Sequence, residues 1–126
     1  MIYQQPDIEE VISHFKGTNV PSRELDGRLW CALQGTNFEL FRAVVPSCEQ
    51  WQSPFYSYSV ELALSSIPTE WRPLSLEWRS GQVHTKLIRG SETLEHIVNG
   101  LSLNPAISVC IASLYAWQFE RAGQQP

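Results

Sequence analysis

The sequence is short of the features that usually announce chemistry. Its three cysteines, Cys31, Cys48 and Cys110, form no CxxC pair and make an odd set. That spacing excludes a zinc pattern and a secreted disulfide framework, and it suits a reducing cytosol. The histidines His14, His84 and His96 lie in separate segments, with no HExxH and no nucleophile-elbow motif nearby. Gly27, Gly35, Gly81, Gly90 and Gly100 are isolated, so no glycine-rich loop is available to cradle a phosphate. Nine Lys and Arg stand against thirteen Asp and Glu, a net charge of −4. A phosphate backbone demands the opposite balance, so non-specific nucleic-acid binding is not expected. No run approaches the roughly 20 apolar residues of a membrane span. The opening "MIYQQPDIEE" lacks the basic and apolar regions of a secretion signal. These absences leave no catalytic residue, metal or cofactor to assign, and a cytoplasmic, non-enzymatic protein is the expectation.

What is present describes a globular protein. The 126 residues are 43% hydrophobic and 17% charged, enough for one domain with a real core. The five tryptophans, Trp30, Trp51, Trp71, Trp78 and Trp117, read as core residues, because tryptophan is mostly buried.

The periodicity predicts helices at about 7–16, 22–34, 58–66 and 104–120. In the first, Ile8, Val11, Ile12 and Phe15 share one stripe, Asp7 caps the start and Gly17 the end. In "PSRELDGRLWCALQG", Ser22 reads as N-cap, Glu24 and Asp26 complement the helix dipole, and Gly35 closes the helix. The charge there is scaffold rather than catalysis. Gly27 is out of place in a helix interior, and close approach of another backbone would explain it. Residues 36–57 are the least legible region: "FELFRAVV" fits a short extended segment, and "SCEQWQS", bracketed by Pro46 and Pro54, reads as loop. From Pro73 the period becomes two. Leu74, Leu76 and Trp78 share a face that Val83, Thr85 and Leu87 continue after an "SGQ" turn, and a third strand runs through "LEHIVNG". A three-stranded antiparallel meander over about 73–99 follows, with Trp78 in the core.

In the last helix Asn104 is the N-cap and Pro105 takes the first turn. Residues 106–119 are apolar nearly all round, so this helix is either the domain's centre or meets another chain as a homo-oligomer contact. The tail "GQQP" reads as frayed.

One cluster of side chains suits a ligand. Arg72, Arg79, His84, Lys86 and Arg89 lie on or beside the hairpin with Trp78 among them, a set that fits a small anionic or nucleotide ligand. The competing reading is a solvated sheet face.

Taken in order, "SRELDGRLWCALQG", "YSYSVELALSSIPTEWRPLSLEW" and "NPAISVCIASLYAW" resemble the phage ABA-sandwich domain, a family of small bacteriophage and prophage proteins. The likeness covers about residues 21–119, with helix 7–16 an addition to it. It implies an α+β fold with helices packed on both sides of a small antiparallel sheet, and it carries no catalytic residues. It also implies a phage accessory protein, for which binding and blocking a host protein, such as an antiviral defence component, is the expected role.

Overall fold

A computed structural model describes residues 7–90 and 95–123. The start of the expected third strand at Leu94 and most of the "GQQP" tail lie outside these residues. The fold is α+β: five α-helices and a three-stranded antiparallel sheet.

The N-terminal helices form where the caps say they should. In α1 (Ile8–Lys16) the Asp7 carboxylate accepts from the N–H of Glu9 at 3.0 Å, and Ile8, Val11, Ile12 and Phe15 are all buried. In α2 (Arg23–Gln34) the Ser22 hydroxyl accepts from Leu25 N–H at 3.1 Å, and Gly35 ends the helix at φ 75. That left-handed conformation is why a glycine stands there.

The segment "FELFRAV" is not extended but is α3 (Phe38–Val44), capped by Asn37, whose side chain accepts from Leu40 N–H at 3.1 Å. Phe38 and Phe41 are three residues apart, so a helix puts both rings on one face. Both lie against Trp51, with ring centroids 5.5 and 5.4 Å away. As a strand the segment would have sent them to opposite sides. Gly27 of α2 is the floor of this aromatic cluster, since a Cβ there would sit 2.8 Å from Trp51 Cζ3 and 2.9 Å from Phe38 Cε1. The close approach is by aromatic rings rather than by another backbone. Short 3-10 turns at Cys48–Gln50 and Tyr56–Tyr58 lead into α4 (Val60–Leu64), which is shorter than the expected 58–66.

Strand β1 (Arg72–Arg79) turns through Ser80 and Gly81, at φ 54 and 79, into β2 (Gln82–Gly90), and β3 (Glu95–Ser102) pairs on the far side. Two consecutive positive φ values match the right-handed twist of a tight hairpin. Register places Leu76 opposite Thr85 and Trp78 opposite Val83, and an irregularity between Pro73 and Ser75 leaves Leu74 outside the ladder.

Helix α5 (Pro105–Gly123) is the centre of the molecule. One side lies on β3 and β2; the other meets α1, α4, α2 and the Tyr56–Tyr58 turn. This layering explains its all-round apolarity, because Ile107, Val109, Cys110, Ile111 and Leu114 are all buried within the chain. The ground for self-association through this helix therefore falls away. Contact with β3 is unusually close. A Cβ on Gly100 would lie 2.1 Å from Ser108 O and 2.6 Å from Ala112 N. The Ser108 hydroxyl, itself buried, donates to Gly100 O at 2.9 Å and lies 2.7 Å from Thr85 Oγ1.

The order of layers is thus sheet, then α5, then the remaining helices. Among the described residues α5 is the helix that packs on the sheet. On the sheet's other face most side chains are at least partly exposed, but Ile88, between Arg72 and Ile97, is buried.

Candidate functional site

Strand β1 lies beyond the reach of α5, and this decides what the hairpin offers. On the helix side of the sheet, α5 covers Val83, Thr85 and Leu87 of β2 completely. Leu76 and Trp78 face the same way one strand further out, yet they are 45% and 66% exposed. Leu74 is 52% exposed. Trp78 is therefore not a core residue: the alternation gave its face correctly, but nothing is stacked above it. Contiguous exposed apolar side chains on an edge strand form a ledge.

The five cationic candidates divide. Arg72, Arg79, His84 and Lys86 lie on the open face, where Arg72 is opposite Ile88, Lys86 opposite Ser75 and Asn99, and His84 opposite Glu77 and Leu101. Arg79 spends its guanidinium on Glu77 Oε2 at 3.3 Å. Arg72 and Lys86 have no ion-pair partner among the described residues. Arg89 does not join them. It points to the helix side, where its Nε donates to Glu120 Oε1 at 2.7 Å, an oxygen that also accepts from Trp71 Nε1 at 2.8 Å. Arg89 holds the end of α5 against the sheet. The remaining four make a shallow, solvent-facing strip rather than a closed anion site.

The charge in "SRELDG" builds a buried staple. Asp26 is fully buried, and both the N–H and the hydroxyl of Ser57 donate to its Oδ1 at 2.7 Å. Arg23 Nη1 donates to its Oδ2 at 2.8 Å, while Arg23 Nη2 donates to Ser53 O at 2.9 Å. The Arg23 guanidinium lies 3.9 Å from the centroid of Phe55. One carboxylate and one guanidinium thus fasten the 51–57 segment to α2. Ser57 has a carboxylate beside it but no histidine on either element, since His14, His84 and His96 are on α1, β2 and β3. A ring of ion pairs on the neighbouring surface joins Arg28 and Arg42 to Glu24 and Glu39, and both guanidinium groups lie within 4.6 and 5.1 Å of the Phe38 ring centroid.

The thiols are equally structural in setting. Burial pushes the Cys110 thiol well up from its ordinary value, reinforced by the negative charge of Asp26. Burial also raises Cys31, partly offset by the hydrogen bond with Thr36. Neither is a thiolate at neutral pH. No three His, Cys, Asp or Glu side chains are grouped for a metal among the described residues, and no helix of the described residues is long and apolar enough to cross a membrane.

The exposed apolar ledge of β1 was the feature least accessible to sequence reasoning. Its signal lay elsewhere, in Gly100 of β3 and the small residues Ser108 and Ala112 of α5, which set the helix over β3 and away from β1. Compared with protein-family models, curated proteins and solved structures, the chain matches none.

Proposed function

We propose that the protein is a non-enzymatic binding module that engages a partner protein through β1, with Trp78 as the anchor. The observation that carries this reading is the 66% exposure of Trp78 beside Leu76 and Leu74 on an uncovered edge strand. Contiguous apolar surface is typical of interaction sites, and tryptophan is the residue most enriched among binding hot spots. Arg72, Glu77 and Arg79 alternate with the ledge residues along β1 and put charge on the opposite face of the same edge strand. In the phage setting that the sequence resemblance implies, the partner is a host protein, with antiviral defence components first among the candidates. Occupation of its surface would block it without chemistry, in the reducing interior of the bacterial cell.

A second reading draws on Arg72 and Lys86, two open-face cations without a described partner, and makes the protein a sequestering binder of a small anionic signal. One experiment separates the two. Immobilised protein and its Leu76→Ser/Trp78→Ala variant are exposed to bacterial lysate, and the eluates are examined for proteins and nucleotides. A stoichiometric protein retained by the parent and lost by the variant supports the first reading. A nucleotide retained by both, and lost from an Arg72→Ala/Lys86→Ala variant, would replace it with the second.

A further inference from the structure

The opposite edge of the sheet carries a different kind of site. Strand β3 is an edge strand, and along its free side run two grooves. One of about 300 Å³ is walled by Ile97–Asn99, Ile111 and Tyr115. The other, about 330 Å³, lies between Thr18, Asn19 and Ser102–Leu103. Lys16 and Leu101 line both, so the two are continuous and form one trough beside the strand.

Three features of the trough point to its occupant. An edge strand presents unpaired backbone N–H and C=O groups, which only another extended chain satisfies in series. From Ile97 to Leu103 the trough is seven residues long, about 23 Å at roughly 3.3 Å per residue, the span of a short extended peptide. Ile97, Asn99 and Leu101 share one face of β3, with Leu103 just beyond its end, and the three apolar side chains among them are about half exposed along the edge.

The charge in the trough selects the peptide. Lys16 Nζ donates to the Tyr115 hydroxyl at 2.9 Å and lies 5.5 Å from that ring's centroid, which holds the ammonium at the junction of the two grooves. Among the described residues it has no carboxylate partner, and two of its three N–H donors have no acceptor. A second copy of β3 offers one carboxylate, Glu95 at its first residue, and none from His96 to Leu103. It would also bring a second Lys16 ammonium to the same edge, whereas an acidic segment of another protein carries the complementary charge without that repulsion.

We propose that this edge takes an extended peptide segment of another protein by strand addition, with an acidic side chain of that segment paired to Lys16. The site is distinct from the Trp78 ledge, lies on the opposite edge, and does not rest on it.

A library of random octapeptides displayed on a carrier tests this by selection on the immobilised full chain. The expected result is a pool enriched in peptides with a central Asp or Glu flanked by apolar residues. Their affinity should fall at least tenfold for Lys16→Gln, and Lys16→Glu should select basic residues at the same position. Amide resonances of Ile97–Leu103 should shift on binding of a selected peptide. Both variants change an exposed residue in the last turn of α1, and circular dichroism confirms that they fold. A pool without acidic enrichment, no selected peptides, unchanged affinity in Lys16→Gln, or shifts confined to β1 would each overturn the proposal.

Discussion

Trp78 and Val83 face each other across the β1–β2 ladder, yet Val83 is 3% exposed and Trp78 66%. Two directly paired residues on the same face differ only in what stands over them. Helix α5 ends its cover at β2, because Gly100 lets it settle on β3 with Ser108 and Ala112 in backbone contact. The position of one glycine therefore determines which strand keeps its apolar face in water.

That dependence makes Gly100→Ala the most damaging small substitution in the sheet. The new methyl would have to displace the backbone of α5 rather than a flexible side chain. The expected cost is about 3 kcal/mol or more, at the upper end of overpacking effects. Gly27→Ala provides the comparison, because its obstacles are the Trp51 and Phe38 rings and alanine returns about 1 kcal/mol of helix propensity. Urea denaturation of both variants should place Gly100→Ala clearly below Gly27→Ala.

The two acids of "SRELDG" should behave oppositely. Asp26→Ala removes the acceptor for Arg23 and Ser57 and strands those donors in the interior, with an expected loss of about 3–5 kcal/mol. The Glu24 side chain is about half exposed and sits in a surface ion-pair ring, so Glu24→Ala should cost under about 1 kcal/mol. Equal melting temperatures for the two variants would show that the staple does not hold the 51–57 segment.

Three buried groups give the stability a pH dependence of definite sign. Burial raises Cys31 and Cys110 above the ordinary thiol value of 9.0. Tyr56 is raised above 10.0, by burial first and then by the neighbouring Cys110 and Asp26. In each case the folded state holds its proton more tightly than the unfolded chain. Their contribution is complete below about pH 9 and is lost as pH rises through the folded values. Urea midpoints should be level on this account from pH 7 to 8.5 and fall above 9, and Cys110→Ala should flatten the fall.

Much of this fold was legible residue by residue. Asp7, Ser22 and Asn104 cap helices because their side-chain oxygens meet the unpaired N–H groups of a first turn, an interaction local in sequence. The Ser80-Gly81 turn was legible for the same reason. Helix α3 was not, because its helical state follows from Phe38 and Phe41 meeting Trp51, a contact made after the loop has closed. The candidate site failed along the same line. Alternation says which residues of β1 share a face, but it cannot say whether a helix reaches that far. Arg89 was grouped with Arg79 and Lys86 by nearness in sequence, whereas its position in the pleat sends it to Glu120 on the opposite side.

The exposure of Trp78 underlies both the arrangement of the layers and the proposed recognition surface, and the unfolding free energy of Trp78→Ala tests it most directly. An exposed side chain contributes little to folding, so the variant should unfold within about 0.5 kcal/mol of the parent. A loss of about 3–5 kcal/mol, the cost of removing a buried tryptophan, would place the ring in the core and contradict both.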